Sequence, residues 1–367
     1  MTTLTTHRIF NFSAGPAVLP ESVLEEAQRD LVALPGVGMS VLEISHRSKP
    51  FEEICFGAEE DFKRLAGVPD GHHVLFLQGG ATLQFSMVPM NLLPAGGTAD
   101  YLETGAWSEK AIQEARKVGD VHVAASSRAT NHDRIPKPAE MKFSERPAYV
   151  HMTSNNTIFG TQYHFVPEVP AGTPLVNDAS SDIFCRPVDF SKFALTYAGA
   201  QKNLSIAGLT VVVIREDLLA RAPANLPVYL KYATHAKERS LYNTPPVFAI
   251  YVLRLVLRRL IAEGGLVAVA ARNRRKAEKV YAAIDGSGGF YRGHAQPDSR
   301  SWMNLTFRLP SEELEKKFVA EATARELNGL KGHRSVGGIR ASLYNAFPEA
   351  GVDALVDFMA EFQRRNG

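Results

Sequence analysis

The sequence predicts an α/β protein with a large unit on a mixed, mostly parallel sheet flanked by helices, and a small α/β unit at the C-terminus. Three observations predict it. Short apolar runs alternate with longer helical patterns along most of the chain. Residues 209–215 carry so many β-branched side chains that they read as a strand buried on both faces. After the glycine-rich stretch 285–289 the rhythm shortens to strand, helix, strand, helix, which suits a small additional unit. The expected division is 16–262 for the large unit and 263–367, with 1–15, for the small one.

The individual elements follow in order. Residues 74–77 read as a buried strand, then glycines, then a helix over about 82–93 that Pro89 is expected to bend. Residues 100–102 are a short strand and 108–117 a helix capped by Ser108. Further strands are expected at 121–124, 148–152 and 174–177. A helix over about 247–262 ends at Gly264-Gly265, and a second helix runs to about residue 284. The closing set is strand 303–308, helix 311–327, strand 338–343 and helix 348–364.

Composition narrows the function. Forty-one basic against 39 acidic residues leave a formal net charge of +2, too balanced for a nucleic-acid footprint. Anionic partners are therefore expected to be small molecules met by a few placed arginines. The two cysteines, Cys55 and Cys185, show no Cys-x-x-Cys or metal-like spacing, so neither a disulfide framework nor a metal site is expected. Residues 1–12 lack the apolar run of a secretory signal, and residues 247–261 are interrupted by Arg254, Arg258 and Arg259. The expectation is a cytoplasmic protein that does not span a membrane.

Four features carry chemistry. Lys202 lies in Tyr197-Ala198-Gly199-Ala200-Gln201-Lys202-Asn203, a small-residue segment between two strand-like runs. A Schiff-base lysine needs such close backbone approach and a desolvated pocket that lowers its pKa; an exposed loop lysine is the plain alternative. Asp178 ends a buried strand, where α/β sheets meet their ligands. An acid there either protonates a pyridine nitrogen or caps a helix beginning at Ala179-Ser180-Ser181. Gly79-Gly80-Ala81-Thr82 forms a strand-to-helix turn whose free N–H groups suit a phosphate, although such turns are common. Trp107, one of two tryptophans, either stacks on a flat heterocycle or packs in the core.

Together with Phe10-Asn11-Phe12-Ser13-Ala14-Gly15-Pro16, Ser45-His46-Arg47, Gln78-Gly79-Gly80-Ala81-Thr82, Ala200-Gln201-Lys202-Asn203, Asn243-Thr244-Pro245-Pro246 and His333-Arg334-Ser335-Val336-Gly337-Gly338-Ile339-Arg340, these features resemble the phosphoserine aminotransferase family. That family belongs to the class-V aminotransferases, with the fold-type-I architecture of enzymes that use pyridoxal 5′-phosphate (PLP). The resemblance implies one PLP per subunit, bound covalently by Lys202. It implies that Asp178 pairs with the pyridinium nitrogen, that Trp107 stacks on the ring and that Thr157 bonds the ring hydroxyl. Ala81, Thr82 and Gln201 hold the phosphate, with Asn243 and Thr244 reaching it from the other subunit of a homodimer. Arg340 clamps the substrate α-carboxylate; His46, Arg47, His333 and Arg334 form the pocket for the distal anion.

The implied reaction is a ping-pong transfer of the amino group between glutamate/2-oxoglutarate and 3-phosphohydroxypyruvate/O-phospho-L-serine in serine synthesis. A secondary expectation is 4-phosphohydroxy-L-threonine in vitamin B6 synthesis. Arginine suits such a dual site because its planar fork bonds carboxylate and phosphate alike. His333 and Arg334 are adjacent, and in a strand they point to opposite faces, so one of them is open to a structural role. Some family members carry Gly-Gly-Gly-Arg where this chain has Gly79-Gly80-Ala81-Thr82, so distal-anion binding leans more on Arg47 and its neighbours here. The rivals are another class-V enzyme, such as a serine–glyoxylate aminotransferase or a cysteine desulfurase, a non-catalytic PLP-binding module, and a nucleotide-binding protein. The last lacks a complete Gly-x-Gly-x-x-Gly.

Overall fold

The computed structural model describes residues 7–367. Residues 1–6, part of the stretch read for a secretory signal and of the expected small unit, lie outside the described residues. Seven strands make the main sheet: β1 (His72–Leu77), β2 (Thr98–Glu103), β3 (Asp120–Ser126), β4 (Val150–Thr153), β5 (Leu175–Asp178), β6 (Leu195–Gly199) and β7 (Thr210–Arg215). Their order is β1-β7-β6-β5-β4-β2-β3. Every pairing is parallel except those of β7, which runs antiparallel to both β1 and β6. The Val211-Val212-Val213-Ile214 run explains that position: it is buried on both faces.

Helices cover both faces. Leu75, Leu77, Tyr101, Val176 and Tyr197 share a core with α3 (Gly80–Leu92) and α4 (Ala106–Ala115). Val74, Phe76, Ala198, Val211 and Val213 face the other way, into a core with α2 (Lys49–Ala66) and α6 (Val247–Ala262). Alternate residues of one strand thus enter different cores, as the period of two requires.

A three-stranded antiparallel sheet follows: β8 (Arg292–Gly293), β9 (Asn304–Arg308) and β10 (Ile339–Ser342). It has its own core, with α8 (Glu312–Ala324) and α9 (Glu349–Asn366) and with Phe12 from the start of the chain. Phe10 and Asn11 pair in parallel with Leu327 and Asn328, which ties the N-terminal segment to this region. The helix α7 (Gly265–Asp285) enters both cores: Leu266 and Val269 pack in the first, Ala277, Val280 and Ile284 in the second. Gly264 and Gly265, with φ of 96° and 69°, make the break that separates it from α6.

The strands fall within two or three residues of their expected bounds, and three local expectations need correction. The helix expected at 108–117 starts at Ala106, because Gly105 is its cap and Ser108 stands three residues in. Ser108 Oγ accepts from the Thr104 and Gly105 N–H groups, so the serine closes a capping box instead of starting the helix. The helix expected to start at about residue 82 begins at Gly80, and it contains Pro89 on its way to Leu92. Residues 333–334 lie in a turn that precedes β10, not in a strand, so strand alternation does not govern where they point.

Candidate active site

The carboxyl end of the parallel strands gathers the central residues. A cavity of about 130 Å³ is lined by Gly80, Ala81, Thr82, Trp107, Thr157, Asp178, Gln201 and Lys202. Eight residues separated by as many as 122 positions are brought together because β6 lies beside β5 and one strand from β1, so that the turns after the three strands open at the same end of the sheet.

Lys202 follows β6 in a turn, with its Nζ donating to Thr157 Oγ1 at 2.9 Å. The same Nζ lies 5.9 Å from the centre of the Trp107 ring. Burial pushes its pKa down to about 8; Asp178 opposes that shift and Arg340 adds to it. An amine tuned this way is a nucleophile near neutral pH, which an exposed lysine is not. Asp178 is 4% exposed at the end of β5. Burial raises its pKa, opposed by bonds from Ser180 and by the Lys202 charge. No α-helix follows it, and its Oδ1 accepts from the Ser180 N–H at 3.0 Å, so it does not cap a helix.

Gly79 and Gly80 hold φ of 87° and 64°, and α3 begins there. The first bond back along the chain is Leu83 N–H to Gly79 C=O, so the N–H groups of Gly80, Ala81 and Thr82 face the cavity end of the helix with no intrahelical acceptor. A β-carbon on Gly79 would stand 2.6 Å from Leu83 Cβ, so the turn is closed to larger residues. Trp107 sits at the start of α4, and its indole N–H is buried without a partner among the described residues. Lys110 Nζ lies 4.5 Å from its ring centre.

Arg340, on β10 of the small sheet, lies beside the cavity, next to the lining residue Thr157. Its Nη1 donates to the Thr157 C=O at 3.4 Å, and its buried Nε has no partner among the described residues. His333 stands in the preceding turn, bonded to Ser335. Its pKa is lowered by burial and then by Arg340, Arg334 and Lys110, which puts all three cations within electrostatic reach. Arg334 is exposed.

Seven expected residues do not line this cavity: Arg340, His333 and Arg334 lie beyond it on the small-sheet side, and His46, Arg47, Asn243 and Thr244 lie elsewhere. His46 and Arg47 lie in the turns before α2, with Arg47 exposed and His46 Nε2 buried without a partner. Asn243 and Thr244 precede α6; the Thr244 C=O accepts from Gln78 Nε2 at 3.2 Å, on the strand side of the glycine turn. Conversely, Thr153, Asn155, Ser180 and Ser181 line the cavity and were not singled out from sequence. Their signal was position: they flank Thr157 and Asp178. Asn155 Nδ2 donates to Ser181 Oγ and to Asn304 Oδ1 of β9, joining cavity and small sheet.

Both cysteines are buried and free. Burial raises Cys55 to about 12 and Cys185 still further, so neither offers the thiolate a desulfurase needs.

The residues present fit PLP on these observations: an amine shifted toward its neutral form, a buried acid, a helix start with free N–H groups and an indole wall. The comparisons agree. The family model described as aminotransferase class-V matches residues 9–355. The chain is 57% identical to the phosphoserine aminotransferase of Herpetosiphon aurantiacus, over 98% of this chain and 99% of that one. A solved phosphoserine aminotransferase from Bacillus circulans subsp. alkalophilus superposes with a TM-score of 0.97 at 52% identity, covering 99% of this chain and 100% of that one. The PLP-bound phosphoserine aminotransferase from Trichomonas vaginalis gives 0.92 at 40% identity, covering 96% and 100%. The chain belongs to the class-V aminotransferases, among the phosphoserine aminotransferases.

Proposed function

We propose that this chain moves an amino group between glutamate/2-oxoglutarate and 3-phosphohydroxypyruvate/O-phospho-L-serine, the transamination step of serine synthesis. The observation that carries the reading is Lys202, partly neutral at physiological pH, within one cavity of Asp178 and the α3 N-terminus. Identity of 57% over nearly the full length to a phosphoserine aminotransferase favours this over other class-V reactions and over a non-catalytic module. 4-Phosphohydroxy-L-threonine, which shares the phosphate and the amino-acid end, is a second substrate.

PLP, when bound, supplies an aldehyde to hold the amine and a ring that withdraws electrons from the α-carbon. The chain's residues do the rest. The N–H groups of Gly80, Ala81 and Thr82, with Gln201, hold the cofactor phosphate; Trp107 covers the ring, Thr157 bonds its hydroxyl and Asp178 holds a proton on its nitrogen. Arg340 binds the substrate carboxylate, which fixes the α-C–H bond toward Lys202. The Lys202 amine, once released, takes the proton from the α-carbon and returns it in the reverse half. His333 and Arg334 meet the distal anion at the mouth.

His46, Arg47, Asn243 and Thr244 lie outside the cavity of their own chain. So do Arg340, His333 and Arg334, but Arg340 bonds the lining residue Thr157, whereas Asn243 and Thr244 bond none of the lining residues; a second copy presenting that pair to the phosphate is the reading this supports, a homodimer with shared sites. A mixing experiment tests this. Lys202→Ala and an Asn243→Ala/Thr244→Ala variant, each inactive alone, regain activity when unfolded and refolded together, because one site of the mixed dimer is intact. Mixtures as inactive as their components mean that each site is built within one chain.

The two cores support the division into 16–262 and 263–367 with 1–15, with α7 bridging them. Among the described residues no helix is long and apolar enough to cross a membrane; a cytoplasmic location fits the soluble substrates.

A further inference from the structure

The centre of a parallel sheet is covered on both faces and is normally apolar. Two residues break that rule on the face turned away from Asp178. Asn177 of β5 and Thr196 of β6 are register partners. By strand alternation they point opposite to Asp178 and Tyr197, themselves register partners. Asn177 is 4% and Thr196 3% exposed. Neither Asn177 Oδ1 nor Thr196 Oγ1 has a hydrogen-bond partner among the described residues. A buried polar atom without a partner is costly, and here two sit side by side.

Above them is a cavity of about 280 Å³. Its other walls include Met152, Phe184, Phe190 and Phe193, an apolar surround with a few polar groups, as ligand pockets are built. Arg186 also lines it. One end of its guanidinium donates to the Tyr163 C=O at 2.7 Å, while its Nε is buried without a partner. The other ionisable groups there are committed. Asp182 accepts from Ser154 Oγ at 2.5 Å and from Gln162 Nε2 at 3.0 Å, and burial raises its pKa. Asp189 accepts from Ser191 N–H and hydroxyl. His164 Nε2 meets the Arg300 C=O at 2.9 Å, and burial lowers its pKa.

We propose that this cavity is a second ligand site, for a small aromatic acid whose ring lies among the phenylalanines, whose hydroxyl meets Asn177 and Thr196, and whose carboxylate meets Arg186. The volume suits it: an apolar cavity of about 150 Å³ takes benzene, so this one admits a ring with two polar substituents. The site is separate from the Lys202 cavity, although the two sites share β5, whose Asn177 and Asp178 face opposite sides.

The probe is 4-hydroxybenzoate, titrated calorimetrically into the PLP-loaded enzyme, with benzoate and phenol as half-ligands. Saturable binding is expected, with each half-ligand weaker by about tenfold or more, the loss of one good hydrogen bond or ion pair. Thr196→Val, a near-isosteric change, weakens 4-hydroxybenzoate and phenol about tenfold and leaves benzoate unchanged. Arg186→Met weakens 4-hydroxybenzoate and benzoate and leaves phenol unchanged. If either variant fails to fold, the ranking of the three ligands on the unaltered enzyme decides. The proposal falls if nothing binds saturably at millimolar concentration, which leaves water as the partner of Asn177 and Thr196. It also falls if the three ligands bind alike, if binding survives both variants, or if glutamate displaces 4-hydroxybenzoate, which would place it beside Lys202.

Discussion

Lys202 and Lys276 are both drawn out of water, and the chain treats them differently. Lys202 stands at a cavity wall with one side-chain acceptor, Thr157 Oγ1. Lys276 is completely buried in α7, where the helix passes from one core to the other. Its Nζ donates to the C=O groups of Leu343, Tyr344 and Phe347 at 2.9, 2.8 and 3.1 Å. Burial lowers both pKa values, to about 8 and about 7. Three carbonyl acceptors match the three N–H donors of an ammonium, and complete burial keeps reagents from the amine when it is neutral. One acceptor beside open space leaves an amine that can attack. Burial shifts a lysine's pKa; the number of acceptors around it decides whether the residue reacts or fastens.

The strongest way to break this comparison is Lys202→Ala. Loss of the general base lowers transamination by at least about 10²–10⁴-fold, and borohydride no longer fixes the cofactor covalently to the protein, so it is removed on denaturation. A variant that transaminates normally would remove Lys202 from the chemistry. Lys276→Met is expected to do the reverse. It leaves three carbonyls without their donor and lowers stability by roughly 3 kcal/mol, read as a lower urea midpoint with unchanged slope. The visible absorbance and the covalent fixing of the cofactor by borohydride remain. An unchanged midpoint would show that the three bonds do not hold β10 and α9 against α7.

A smaller effect sharpens the contrast. The cofactor-free protein captures PLP through neutral Lys202, so the capture rate falls about tenfold per pH unit below about 8 and levels off above it. The sign follows from the lowered pKa: acid protonates the attacking amine. Mild reductive methylation of the same protein at pH 8 should label Lys202 and spare Lys276. Equal labelling would mean that the carbonyls do not protect Lys276.

Much of this was legible in the chain. The strands of the main sheet could be placed because parallel strands need continuous apolar runs, and Lys202, Asp178 and the glycine turn could be picked out together because family motifs surround them. What escaped were contacts between distant, unremarkable residues. Asn155 and Asn304 bond at 2.8 Å across 149 positions. Asn203, next to Lys202, accepts from the Asn345 N–H at 3.0 Å, and Asn345 in turn accepts from Asn273 of α7 at 2.8 Å. Asparagine is ordinary in loops, and nothing in its neighbours marks it as a joint between two cores. Lys276 was hidden for the same reason, set in a helix of charged residues that looks like a solvated surface.

Local pattern could determine the α/β class and single out the Gly79-Gly80 turn and Lys202 as candidates, since these rest on backbone preference, periodicity and motif within a few residues. The tertiary structure decided which of two buried lysines stands beside open space, that residues 333–334 lie in a turn, and that His46, Arg47, Asn243 and Thr244 do not line the cavity of their own chain. Those outcomes depend on which distant carbonyls, strands and helices arrive beside a side chain, and only the packed chain fixes that.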